Sequence, residues 1–386
     1  MINSMGMKLA EELKDRGLVQ DTSADLERVL SEKRTIYIGA DPTADSLHVG
    51  HLAWVVLMKR LSDAGHKIIL LVGGGTGMIG DPKEKGERPL LAVEDIDKNA
   101  SALAAQLKGI LGDRAEFVMV NNAEWLREVK LLEFLRDVGK HFTVNELIKR
   151  DLIRRRLAAA DDSISYTEFT YSLLQAYDYR ELNQRYNCDL QVGGSDQWTN
   201  ILSGVELIRK RDSKEVFAFS IPLITDKAGR KFGKSEGNAV WLNAVKTTPY
   251  QFHQFWLNVE DEKVISYLKI YTLLPLSEIA VIEEEWNKDR SSRSAQKRLA
   301  DEVTRFVHGD DVELETAVFG VAPTDLIVDV LVSTKLASSK REAREFIESG
   351  AVTLDDEKIS DLSALARAGI LQRGKRKMNS VRLELK

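Results

Sequence analysis

The chain predicts an α/β protein: a doubly wound parallel sheet, followed by an all-α region and a small α+β region. Three observations carry this prediction. Over the first 240 residues, short apolar runs of strand length alternate with amphipathic stretches of helical spacing. Glycine-rich turns sit where those runs end. After Trp241 the strand candidates stop, helical periodicity runs from Pro249 to Phe319, and Pro323 marks a boundary. The expected regions are residues 1–240, 241–322 and 323–386.

Taken in order, Leu9–Asp15 and Ala24–Lys33 read as short amphipathic helices, and Ile36 and Ile38 mark the first buried strand. Asp41-Pro42-Thr43 is a turn, and the apolar spacing from Leu52 to Leu61 is helical. Strands follow at Lys67–Val72 and Phe117–Val120, with a helix between them at Val93–Leu111. Glu124–Val138 and Val144–Leu157 read as helices, and a long helix runs from Glu168 to Arg185. Cys188–Val192 and Val216–Ile221 complete the sheet, and Asp226–Asn238 is a loop rich in Lys and Gly. Beyond Pro323, helices at Asp325–Leu331 and Ser339–Glu348 precede strands at Ala351–Leu354 and Ser380–Leu383.

At 386 residues, two or three domains with a substantial core are affordable by size alone. Cys188 is the sole cysteine, so an internal disulfide is excluded and a reducing, cytoplasmic setting is expected. The N-terminus carries Glu11, Glu12 and Asp15 within its apolar pattern, which suits neither a signal peptide nor a membrane span. Net charge is −5, yet residues 362–386 hold seven Lys/Arg against one acid, leaving an acidic body with a basic tail. Such asymmetry suits contact with a polyanion.

His48 and His51 fall three residues apart at a helix start, with Gly50 between them. Unpaired N–H groups and partial positive charge make that position a phosphate site, to which imidazole N–H groups would add donors. The spacing is wrong for H-E-x-x-H and no carboxylate lies between, which disfavours a metal; two incidental histidines at a turn remain the plain alternative. Gly75-Thr-Gly77-Met-Ile-Gly80 fits a dinucleotide fingerprint, but Asp81-Pro82 follows at once where a helix should continue. Gly229-Arg-Lys-Phe-Gly233-Lys234-Ser235 is one residue short of a P-loop and reads as a cationic loop. Tyr171, Gln175 and Asp178 align on one helix face, a polar trio suited to a small-molecule pocket or to a solvated stripe. Gly193-Gly194-Ser195-Asp196-Gln197-Trp198 is a further strand-to-helix turn.

Together these motifs resemble the bacterial tyrosyl-tRNA synthetase family of class I aminoacyl-tRNA synthetases, over nearly the whole chain. His48-Val-Gly50-His51 is similar to the family's HIGH signature and Lys231-Phe-Gly-Lys234-Ser235 to its KMSKS partner. Tyr37-x-Gly39-x-Asp41-Pro42-Thr43-Ala44, the Tyr171/Gln175/Asp178 face and the Gly193–Trp198 turn resemble its tyrosine-specific parts. The resemblance implies a Rossmann-like catalytic domain, a helical anticodon-binding domain and an S4-like RNA-binding domain. The last rests on Ser338-Ser-Lys340-Arg-Glu-Ala-Arg344 and Gly374-Lys-Arg-Lys377, with Asp355-Asp356 where a turn usually has Asn-Gly.

Residue by residue, it implies that Tyr37 and Asp178 bind the phenolic hydroxyl of L-tyrosine. Asp81, Tyr171 and Gln175 would hold the ammonium, and Gln197 the carboxylate. Gly39, Asp41, Gly50, Gly194 and Asp196 would line the ATP pocket. Thr43, His48, His51, Lys85, Arg88, Lys231, Lys234 and Ser235 would form the catalytic set around the phosphates. ATP with Mg²⁺ is the expected substrate complex, with no tightly bound metal. The expected partners are tRNA(Tyr) and a second copy of the chain through Leu131–Leu157, with no membrane. Tryptophan activation is disfavoured because an indole N–H needs no paired donor and acceptor. A non-catalytic RNA-binding protein on the same scaffold is disfavoured because both phosphate motifs keep their cations.

Overall fold

The computed structural model describes residues 4–83, 86, 90–159, 161–225, 234–235, 238–312, 318–334, 336–374 and 380–385. The chain divides into two compact units, Met1–Glu236 with Lys269–Leu276, and Gly237–Leu268 with Ser277–Lys386.

The first unit opens with helices α1 (Ser4–Asp15) and α2 (Leu26–Leu30), then strand β1 (Thr35–Ala40), α3 (Val49–Asp63) and β2 (Lys67–Val72). It continues with α4 (Val93–Leu111), β3 (Phe117–Asn121), α5 (Ala123–Leu126), α6 (Leu131–Asp137), α7 (Val144–Leu147) and α8 (Asp151–Ala158). Then come α9 (Tyr166–Tyr186), β4 (Leu190–Gly194), α10 (Trp198–Asp212), β5 (Phe217–Ile221) and the two-residue β6 (Lys234–Ser235). The sheet order is β3-β2-β1-β4-β5 and every pairing is parallel, so all five expected strands form and the doubly wound architecture holds. Helices on both faces explain why β2 and β5 are almost wholly buried and read as largely apolar runs. The order reverses between β1 and β4, and a ligand crevice opens at such a reversal, beyond the strands' carboxyl ends. The edge of β5 is covered by the N-terminal strap, through an antiparallel bridge from Thr22 to Phe219.

Two expected helices are broken. Glu124–Val138 is α5 and α6, and Val144–Leu157 is α7 and α8. Trp125 is buried while Leu132, seven residues on, is 79% exposed. One continuous helix would have placed both on the same face.

The second unit holds β7 (Asn238–Ala239) and the amphipathic helices α11 (Pro249–Leu257), α12 (Asp261–Tyr271), α13 (Leu276–Lys288) and α14 (Ser294–His308). The end of α12 and the start of α13 are counted with the first unit. Next come β8 (Val318–Val321), α15 (Ile327–Ser333), α16 (Lys340–Glu348), β9 (Val352–Leu354), β10 (Glu357–Lys358), β11 (Gly369–Arg373) and β12 (Ser380–Leu385). These form a mixed sheet in the order β10-β9-β11-β12-β8, with Ile327, Leu331, Ala343 and Ile347 of α15 and α16 in its core. Val318–Val321 is thus a strand where helical periodicity had been expected through Phe319. It pairs in parallel with β12, a partner some sixty residues away that local pattern does not reveal. Asp355 and Asp356 both have positive φ, 50° and 65°, as the tight hairpin between β9 and β10 requires. The Asp355 carboxylate accepts from the Ile370 amide at 2.7 Å, which offsets the strain.

Candidate active site

Helix α9 begins with a reciprocal cap between Ser165 and Glu168 and runs unbroken to Asn187, which takes the left-handed conformation. One of its faces carries Tyr171, Gln175 and Asp178, with Tyr171 and Asp178 buried. The Asp178 carboxylate is held from two sides: Oδ1 accepts from Trp125 Nε1 at 2.7 Å and Oδ2 from Asn122 Nδ2 at 2.9 Å. Burial outweighs those two hydrogen bonds and pushes its pKa up to about 8. Tyr37 of β1 is 2% exposed. Burial, then the charge of Asp178, push its phenol well above the ordinary range. The Tyr37 hydroxyl and the Gln175 Oε1 are buried without a hydrogen-bond partner among the described residues. Buried polar groups are ordinarily satisfied, and such orphans beside a fixed carboxylate mark a place for a polar ligand.

Tyr171 Oη donates to Asp41 Oδ2 at 2.8 Å, and Thr76 Oγ1 donates to Asp41 Oδ1 at 2.7 Å. Asn122 Nδ2 reaches Thr76 Oγ1 at 2.9 Å, linking Asp41 to Asp178 in one network. Asp81 accepts from Gln197 Nε2 at 2.7 Å and Asn200 Nδ2 at 3.0 Å, and burial pushes its pKa up to about 6. The glycine run between β2 and Asp81 is a packing requirement of this network. A Cβ on Gly73 would lie 2.0 Å from Asp41 Oδ1, and one on Gly74 2.4 Å from Asn121 Oδ1. After Gly75 the chain makes only a three-residue 3₁₀ turn, Thr76–Met78, and Gly80 turns with φ +80°. Among the described residues the next helix begins only at Val93, too far on to serve a dinucleotide.

At the other end of the crevice, His48 is the N-cap of α3. Its Nδ1 accepts from the Gly50 amide at 3.1 Å, and the His48 amide donates to His51 Nδ1 at 3.2 Å. The rings are 4.0 Å apart. With both Nδ1 atoms accepting, the neutral rings carry their protons on Nε2 as donors. Thr43 is exposed on the turn after β1, as is Gly39 at its end. Gly194 ends β4 and Asp196 lies two residues on, and a Cβ on Gly194 would meet Asp196 Oδ1 at 2.6 Å. Lys85, Arg88 and Lys231 lie outside the described residues, as do the loop that resembled a P-loop up to Gly233 and the basic Lys375–Lys377. Lys234 and Ser235 are described only as a short strand. Among the described residues no group of three or more His, Cys, Asp or Glu is placed to hold a metal ion.

Sequence reasoning missed Thr76, Asn122, Trp125 and Asn200. Position alone could have pointed to Asn122, since it follows β3 at the sheet's carboxyl edge.

Residues 30–319 match the family model of class I tRNA synthetases for tryptophan and tyrosine, and residues 314–381 match that of the tyrosine–tRNA ligase C-terminal domain. The chain is 42% identical to tyrosine–tRNA ligase 1 of Vibrio parahaemolyticus, over 96% of this chain and 98% of that one. It is 43% identical to tyrosine–tRNA ligase 2 of Enterococcus faecalis, over 93% and 94%. Among solved structures it is similar to a C-terminally truncated mitochondrial tyrosyl-tRNA synthetase of Aspergillus nidulans. That match has TM-score 0.71 and 34% identity, and covers 78% of this chain and 90% of that one. The chain belongs to the tyrosyl-tRNA synthetase family.

For a tyrosyl-tRNA synthetase the two ends of the crevice make chemical sense together. Tyr37 sits on β1, and the His48–His51 helix start follows β1 directly, so one strand sets both. Across the sheet reversal, β4 leads into Gly194, Asp196 and Gln197.

Proposed function

We propose that this synthetase joins L-tyrosine to ATP as tyrosyl-adenylate, releases pyrophosphate, and passes the tyrosyl group to the 3′-terminal adenosine of tRNA(Tyr). The observation that carries the reading is a buried Tyr37 hydroxyl without a hydrogen-bond partner among the described residues, together with an Asp178 carboxylate already oriented by Asn122 and Trp125. Tyr37 and Asp178 take the phenolic hydroxyl as one donor and one acceptor. Phenylalanine would leave both unmatched in a dry site, and tyrosine against phenylalanine in this family is the standing example of that rule. Asp81, Tyr171 and Gln175 meet the ammonium, with Tyr171 turning from Asp41 and Asp81 exchanging amide donors for a charge. Gln197, released from Asp81, turns to the tyrosine carboxylate. Gly39, Asp41, Gly50, Gly194 and Asp196 line the nucleotide.

The tyrosine carboxylate attacks the α-phosphorus in line, and the bond to the pyrophosphate oxygen breaks. No protein nucleophile is needed, so the protein positions the reactants and stabilises charge growing on the leaving phosphates. Thr43 and the Nε2–H groups of His48 and His51 act from the helix start. Lys85, Arg88, Lys231 and Lys234 supply cations, with Ser235 in the same loop. Mg²⁺ enters with ATP as the substrate complex. Tyrosine-dependent ATP–pyrophosphate exchange tests the reading: exchange with tyrosine and no other standard amino acid is expected, and exchange with tryptophan instead would sink it.

The region from residue 318 serves tRNA. A chain ending at Val312 should retain exchange and lose tRNA charging, and normal charging would remove the role of the C-terminal sheet. Leu131, Leu132, Val144 and Leu157 are 70%, 79%, 63% and 54% exposed, an apolar surface suited to a homodimer. Among the described residues no helix is long and apolar enough to cross a membrane. A cytoplasmic enzyme without membrane contact is the reading that fits.

A further inference from the structure

A chain of charged groups that the reaction as derived does not use ends on the indole that holds Asp178. That indole, Trp125, lies in a buried cluster with Tyr37, Tyr179 and Leu182. Its helix, α5, has four residues and no side-chain cap, too little to fix a large ring by itself. The Arg185 guanidinium of α9 lies over the ring, 5.1 Å from its centroid. Arg185 Nε donates to Glu181 Oε2, one turn back, at 2.9 Å. Glu181 Oε1 lies 3.9 Å from Arg180 Nη1, and Arg180 donates from Nε and Nη2 to the two carboxylate oxygens of Asp212, at 2.8 and 3.1 Å. Asp212 ends α10, and both Arg180 and Glu181 are buried. The Arg185 side chain is 44% exposed.

As a source of stability, an i, i+4 ion pair with one half-exposed partner contributes little. Its geometry matters more. A cation is attracted to an aromatic face, and to that of tryptophan most strongly. Held by Glu181, the guanidinium keeps the ring where its Nε1–H meets Asp178 Oδ1 at 2.7 Å. Positive charge over the ring also draws electron density from the N–H, which makes it a better donor to a carboxylate. Asp178, Glu181 and Arg185 fall at i, i+3 and i+7 on one face of α9. The helix that carries the carboxylate thus also carries the clamp for that carboxylate's donor.

We propose that Arg185 is a positioning residue for amino-acid selection, holding the Trp125 indole so that its N–H stays aimed at Asp178. The proposal rests on the activation reading above, in which Asp178 accepts from the tyrosine hydroxyl. Arg185 acts through Trp125 and not on the substrate.

A double-mutant cycle tests it, read as the preference for tyrosine over phenylalanine: the ratio of their kcat/KM values in pyrophosphate exchange. Arg185→Ala should lower that preference about three- to tenfold, between the worth of an exposed and of a desolvated cation over an indole. In a Trp125→Phe background, which keeps a ring and removes the N–H, Arg185→Ala should change it by less than about 1.5-fold. KM for ATP should stay within about twofold throughout. The same cycle against Asp178→Ala removes the acceptor instead of the donor, carries the same expectation, and covers a Trp125→Phe protein that fails to fold. An unchanged preference in Arg185→Ala, an equal loss for both amino acids, or an undiminished Arg185→Ala effect in both backgrounds would each overturn the proposal. A wild-type protein without tyrosine-dependent exchange would instead count against the activation reading.

Discussion

The two ends of the crevice are built differently, although one strand leads to both. At the phenol end, Tyr37, Asp178, Asn122 and Trp125 are buried, and the carboxylate is held in place before any ligand arrives. At the phosphate end, His48 and His51 are half-buried at a helix start and bonded inward to backbone amides, and Thr43 lies exposed on a turn. Selection of one amino acid among twenty depends on groups that are costly when unmatched, and those must be dry and rigid. Stabilising a leaving pyrophosphate depends on positive charge and N–H donors aimed where charge grows, which requires access for a large polyanion. On the proposed reading, the first end discriminates and the second accelerates.

The sharpest way to break that contrast is at the second end. Replacing Lys231 and Lys234 together by alanine should slow adenylate formation by about a thousandfold while leaving tyrosine affinity within about twofold, as single-turnover and dialysis measurements would show. A loss of tyrosine affinity with the rate intact would reverse the roles of the two ends.

At the first end, Asp178→Ala should cut the preference for tyrosine over phenylalanine in exchange by roughly ten- to a hundredfold, the cost of leaving a buried hydroxyl without its partner. Unchanged selectivity would remove the carboxylate from recognition.

The same carboxylate gives a stability test. Its folded pKa, raised to about 8 by burial, stands far above the usual 3.8, so between those values the folded state binds more protons than the unfolded one. Rising pH therefore favours unfolding across that window. The melting temperature of the ligand-free enzyme should decline from about pH 4 to pH 8, and Asp178→Asn should flatten that slope.

The smallest effect is expected at Asp81. With a pKa near 6, it must be ionised to meet an ammonium, so tyrosine affinity should be level above about pH 7 and fall up to about tenfold per unit below 6. An affinity independent of pH over that range would place the ammonium elsewhere.

Much of the architecture was legible before any coordinates. All five parallel strands announced themselves as buried apolar runs bounded by turns, and α4 begins and ends where its periodicity does. Of the residues singled out, Gln197 donates to Asp81, Tyr171 donates to Asp41, and His48 caps a helix where a helix start was expected. What stayed hidden were groups whose roles come from packing: Asn122 and Trp125, which orient Asp178, and Thr76, which ties it to Asp41. An asparagine after a strand and a tryptophan in a short helix look ordinary until the sheet edge brings α9 over them.

Local chemistry, then, determined most of the elements, the histidine-capped helix start and the polar face of α9, because periodicity and capping act within a few residues. The strand order that places β1 beside β4, the parallel partner that makes Val318–Val321 a strand, and the burial that lifts Asp178 to about 8 were decided only by the folded whole. Pairing and desolvation depend on neighbours distant in the chain, and no window of sequence contains them.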